Sequence, residues 1–98
     1  MTETHNSRIV LEGHIVVADS DLPLVLKDLP NHMKLTRKEL ECLTFSVVQR
    51  SSEPNVFDVF EEFVDREAFD IHQKRARQST WGKITANVER HYKVNGIE

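Results

Sequence analysis

Two hydrophobic periods alternate along this chain of 98 residues, and no linker separates them. Period-2 runs call for a sheet, and runs spaced at three and four call for helices. A chain of this length has room for one domain with one thin core. Residues 8–17 are β-branched and partly alternating, which predicts a strand. Ile9, Leu11, Gly13, Ile15 and Val17 share one face of it; Arg8, Val10, Glu12, His14 and Val16 share the other. Residues 43–50 and 56–64 read as two more strands, and the turn residues 51–55 make them an antiparallel hairpin. In the third strand Phe57, Val59 and Phe63 point one way, and Phe60 and Glu62 the other. A last strand covers roughly residues 89–94.

Helical signals fill the gaps. Asp19, Ser20 and Asp21 offer capping oxygens, and Pro23 suits a first turn. Leu22, Val25, Leu26, Leu29 and Met33 follow at helical spacing. Pro30 removes a backbone donor, which predicts a kink or break near Leu29 and a resumption over residues 31–38. Asp65 caps a second helix with Ala68, Phe69, His72 and Ala76 on one face. Ser79 and Thr80 cap a further stretch in which Trp81, Ile84 and Val88 share a face.

The order βαββαβ predicts an α+β, ferredoxin-like fold: a four-stranded antiparallel sheet with helices on one face. Residues 1–7 read as a disordered polar tail and residues 8–98 as the single domain. The second sheet face is expected to carry many apolar side chains, too many to leave wet. Two sheets packed face to face would cover them, so a symmetric homodimer is expected.

Composition narrows the partners. Hydrophobic residues make up 39% and charged residues 30%, an ordinary globular balance. A net charge of -3 argues against nucleic acid as a partner. The apolar runs are too short to span a bilayer, and the N-terminal residues lack the apolar stretch of a signal peptide. Cys42 is alone, which suits a reducing compartment, so a soluble cytoplasmic protein is expected. The five histidines show no metal-ligand spacing, and no nucleotide-binding motif is present, so neither metal nor cofactor is expected.

The stretch from Phe57 through Glu61, Glu62, Asp65 and Ala68 to His72 resembles the strand-to-helix element of the antibiotic biosynthesis monooxygenase family, which includes quinol monooxygenases. Residues 36–45 are similar to the segment that leads into that family's second strand, and residues 79–85 to the third helical segment of one branch. The resemblance covers about residues 8 to 95. It implies a dimeric α+β barrel with a ligand cavity in each subunit between sheet and helices. It implies oxidation of polycyclic phenols or quinols by O2 without flavin or metal, although other members degrade haem or isomerise a small phosphorylated dione. Two positions depart from the pattern. Glu41 stands near a place where the family often has Gly, and Trp81 follows His72, so the usual haem-ligating histidine is missing.

His72 is the first catalytic candidate: an imidazole on the apolar face of a helix can take a phenolic proton near neutral pH. The plain alternative is a core histidine bonded to backbone. His14 sits where the family often places a polar cavity residue, or else in the dimer interface. Trp81 could stack on an aromatic ligand or simply pack in the core. Phe45, Phe69 and Tyr92 join it as the expected substrate-binding wall; Tyr92 could instead lie in the dimer seam. One of Glu61 and Glu62 must face inward, and Arg8, Arg50 or His72 could partner it. Cys42 reads as packing, His5 and His32 as exposed, and Arg75 and Arg77 as a solvated helix face. The expected function is a cofactor-independent monooxygenase acting on a quinol or polyphenol. A non-catalytic dimeric binding domain and an isomerase of a small carbonyl compound are the alternatives.

Overall fold

The computed structural model describes residues 8–96. Their elements are β1 (Ile9–Val16), α1 (Leu22–Arg37), β2 (Cys42–Gln49), β3 (Val56–Phe63), α2 (Arg66–Gln78), α3 (Thr80–Ile84) and β4 (Glu89–Gly96). The strands form one sheet in the order β2-β3-β1-β4, each neighbouring pair antiparallel. This is the ferredoxin-like arrangement that the periodicities predict. The tail 1–7, with His5, lies outside the described residues.

Register sets which side chains meet the helices. Leu11 of β1 and Phe45 of β2 both pair with Glu61 of β3. Alternation turns Ile9, Leu11, Ile15, Phe57, Val59 and Phe63 to that same side, where all are buried. Val25 of α1 and Ala68 and Phe69 of α2 close the core from above. Phe63 and Phe69 meet edge-on with ring centroids 5.8 Å apart.

The other sheet face is more mixed than the sequence suggests. Val10, Val48 and Phe60 stand there among Glu12, His14, Thr44 and Ser46, the side chains that alternation turns away from the helices. β4 is uncovered on both sides, and none of its eight residues is buried. Its pairing of Tyr92 with Gly13 and Val94 with Leu11 puts both side chains on the helix side, yet both remain exposed.

Local chemistry explains the helix ends, with three corrections. Asp65 caps α2 as expected, accepting the Ala68 amide at 2.8 Å. Asp21 holds the corresponding place before α1 but makes no side-chain bond; Asp19 instead accepts from Asn55 Nδ2 at 2.8 Å. α1 runs unbroken through Pro30. The donor lost at Pro30 would have served the Leu26 carbonyl, and both residues lie on the exposed side, where that carbonyl is open to solvent. α3 is five residues long, so Val88 is buried beyond the helix rather than on its face. Among the described residues, no helix is long and apolar enough to cross a membrane.

Candidate active site

Glu61 is the one carboxylate that β1, β2 and β3 turn toward the helices. It sits mid-strand with 7% of its surface exposed. Above it, α2 presents His72, which is 1% exposed. His72 Nε2 lies 3.8 Å from Glu61 Oε1, too far for a direct hydrogen bond. Its other nitrogen, Nδ1, lies 3.1 Å from Oε2 of Glu39, which stands in the short connection after α1. Arg75, one turn along α2, donates from Nε to the same Glu39 oxygen at 2.6 Å and from Nη2 to Thr36 Oγ1 at 3.1 Å. A carboxylate only accepts, so Nδ1 carries the imidazole proton and Nε2 presents a lone pair toward Glu61. Arg75 is therefore a pinned clamp rather than a solvated cation.

His32 of α1 completes the cluster. It is buried, 4% exposed, which corrects the expectation of an exposed residue. Its ring lies flat on Trp81, with centroids 4.6 Å apart and planes 6° apart, and edge-on to Phe45 at 5.4 Å. Ser79 accepts the Gly82 amide to start α3, and a Cβ at Gly82 would run into the Ala76 and Arg77 carbonyls. Glycine thus lets α3 press against the end of α2 and holds Trp81 over His32.

These side chains open onto a cleft of about 560 Å³ between α2, α3 and β4. His32, Glu61 and His72 are its buried lining, and Trp81, Tyr92, Gln73, Arg77 and Arg90 are its more open lining. A second void of about 30 Å³, floored by Phe45, Val47 and Val59, continues beneath Glu61. Two polar atoms at the bottom, Glu61 Oε1 and His32 Nδ1, have no hydrogen-bond partner.

Burial dominates the electrostatics. It raises the Glu61 carboxyl to about 7, with the Glu39 charge adding to the effect. It lowers His32 to about 3, helped by His72 and Arg75. It also lowers His72, although the bond and charge of Glu39 pull the other way. Tyr92 rises to about 12 through enclosure and then the Glu61 charge, although 37% of its surface still reaches solvent. Cys42 rises to about 11 by burial and the acids Glu39 and Glu61, consistent with an inert packing thiol.

Of the residues expected at the site, His72, Trp81 and Tyr92 meet at the cleft. Phe45 stands behind it, edge-on to His72 at 5.8 Å. Phe69 does not reach it, because it belongs to the core against Phe63. His14 is on the opposite sheet face, stacked on His91 with centroids 4.7 Å apart, so it shares no cavity with His72 in this chain. Glu62 faces away too, bridging Arg8 at 3.0 Å, which leaves Glu61 as the inward acid.

Glu39 and His32 are the site residues that sequence reasoning missed. Glu39 meets His72 across 33 positions, and no local pattern marks such a contact. His32 carried a usable signal: Val25, His32 and Thr36 lie at seven and then four residues and are the buried residues of α1. Among the described residues, no three His, Cys, Asp or Glu side chains group so as to hold a metal.

Comparison with known proteins agrees with this architecture. The family model described as "Antibiotic biosynthesis monooxygenase" matches residues 9–83. No curated protein matches. A conserved Bacteroides thetaiotaomicron protein of unknown function, described as a possible oxidoreductase, superposes with a TM-score of 0.77 at 20% identity, over 94% of this chain and 99% of its own. A candidate antibiotic biosynthesis monooxygenase from Nitrosomonas europaea gives 0.75 at 16%, over 97% and 92%. A further structure named antibiotic biosynthesis monooxygenase gives 0.68 at 21%, over 93% and 96%. At such identities the likeness of structures is one of fold. The family match covers most of the chain and points to a monooxygenase-like or small-molecule-binding role. The chain belongs to the antibiotic biosynthesis monooxygenase family.

Proposed function

We propose that the protein is a monooxygenase that oxidises a quinol or polyphenolic aromatic with O2, the substrate itself supplying the electrons, and that His72 is its general base. The observation that carries this reading is the free lone pair of His72 Nε2 at the bottom of the cleft, fixed by the Glu39 bond on Nδ1. A neutral imidazole can take a phenolic proton, and a phenolate gives an electron to O2 far more readily than a phenol. The radical pair then joins at a ring carbon. One oxygen atom stays there as a carbonyl and the other leaves as water, so a hydroquinone and O2 become a hydroxyquinone and water. Trp81 and Tyr92 suit a flat aromatic guest.

The working unit of this reading is a homodimer. Tyr92 and Val94 are exposed on the helix side of β4, and Val48 on the other sheet face. A second copy packed on either side would cover apolar surface, and one packed on the helix side of β4 would also close the open side of the cleft.

The test is O2 uptake by metal-free protein over a panel of hydroquinones and polycyclic phenols, with His72→Ala and His72→Gln beside the wild type. Uptake above autoxidation that collapses in both folded variants supports the reading. No uptake by the wild type with any substrate overturns it, in favour of a binding domain or of an isomerase acting on a small carbonyl compound.

A further inference from the structure

The deepest polar atom of the cleft has no work in the scheme above. Glu61 Oε1 is buried and bonded to nothing, yet it points at His72 Nε2 across 3.8 Å. That gap is too long for a hydrogen bond between the two, but one hydroxyl oxygen can stand within about 2.8 Å of both. The surrounding groups do not neutralise a charge on Glu61. Glu39 faces it with the same sign. His72 and His32 are both held toward their neutral forms. Tyr92 is a neutral phenol, and Cys42 a neutral thiol on β2. Arg90 on β4 donates to the Thr85 carbonyl at 3.0 Å and to Thr85 Oγ1 at 3.3 Å. Glu61 and His72 thus sit as acid and base side by side, their environments pushing their proton affinities in opposite directions.

We propose that Glu61 is a second catalytic residue: its carboxyl donates to the substrate hydroxyl that His72 Nε2 deprotonates, and it protonates the departing oxygen. This deepens the monooxygenase reading and rests on it. The first phenolic proton goes to His72, which returns it to the terminal oxygen of the new peroxide. The C–H bond at the peroxide-bearing carbon then breaks. Its proton passes to His72, its electron pair forms the C=O bond, and the O–O pair leaves with the outer OH. That hydroxide takes the Glu61 proton and departs as water. The proton on His72 then returns to Glu61, and both groups regain their starting states.

The experiment compares kcat, KM and the pH profile of wild type and Glu61→Gln with the best quinol of the panel. Glutamine keeps the shape and a donor but has no acidic proton to give. A kcat loss of about 100-fold or more with KM within a few-fold is expected. The wild-type kcat is expected to fall above about pH 7 as Glu61 ionises, and Glu61→Gln to lack that limb. Should Glu61→Gln fail to fold, the wild-type limb and the Glu61→Asp variant, which restores the acid and should recover part of kcat, decide the matter. Wild-type turnover that Glu61→Gln retains within threefold overturns the role of Glu61 and leaves the monooxygenase standing. Wild type that consumes no O2 with any substrate overturns both.

Discussion

His72 Nδ1 lies 3.1 Å from Glu39 Oε2, and Arg75 grips that same oxygen at 2.6 Å. One carboxylate oxygen therefore fixes both the ring orientation and the tautomer of the base. Glu39→Gln should leave the fold intact but free the imidazole to turn. The Glu39 bond and charge raise His72, so their loss moves it further down, and the acid limb of kcat shifts to lower pH. A kcat loss of about 10-fold is expected, with Glu39→Asp recovering part of it. A purely structural role would change the melting temperature and leave the limb in place.

Stability should depend on pH with two opposed slopes. His32 drops from 6.5 in the unfolded chain to about 3 when folded. Its contribution is therefore complete above pH 6.5 and is lost as pH falls toward 3, on the order of 5 kcal/mol in all. Glu61 rises from 4.5 to about 7, the reverse case. Its contribution is complete below pH 4.5 and is lost as pH rises to 7, on the order of 3 kcal/mol. Urea melts from pH 4 to 8 should show both slopes. His32→Phe should flatten the acid side, and Glu61→Gln should stabilise at pH 8 while changing little at pH 4. Parallel wild-type and variant curves would reject this account.

Much of the fold was legible because it is written in local periods. Phe57, Val59 and Phe63 name the inner face of β3, and parity places Glu61 with them rather than Glu62. The Asp65 cap of α2 is equally local. Misreadings came where the decision was not local. Leu22, Leu26 and Met33 are more apolar than the row that holds His32, yet Leu26 is exposed. Pro30 suggested a break because the solvent side of α1 was not known. Phe69 shares a face with His72, yet a helix face over a sheet spans both core and cleft, and only packing decides which one a residue meets. His14 required knowing which sheet face holds the cavity.

Gly13 offers a test of how β4 walls the cleft. It adopts φ +155°, and a Cβ there would run into the His91 carbonyl on β4. Gly13→Ala must push β4 away from β1, carrying Tyr92 and Arg90 with it. A stability loss of about 2 kcal/mol is expected in urea melts, together with weaker binding of aromatic ligands. Unchanged stability would mean that β4 is loosely held and forms no fixed wall.

The chain should associate with a second copy of itself. The exposed side chains Tyr92, Val94 and Val48 cost nothing in isolation, but they lie on one continuous sheet that no helix covers at β4. Covering such a sheet with its copy removes apolar area from water at about 25 cal/mol per Å², provided polar neighbours such as Glu12 and His14 reach water or partners at the seam. Sedimentation at micromolar concentration should therefore give twice the 11.4 kDa of one chain. Val48→Asp and Val94→Asp place unpaired charge on the two sides of the sheet, so whichever faces the seam should shift the mass toward the monomer. The position that responds identifies the covered side. A helix-side seam at Val94 would cover the cleft directly, and its monomeric variant should lose turnover along with mass. A wild-type monomer under these conditions would mean that Tyr92 stands open to solvent and that one chain alone completes the cleft.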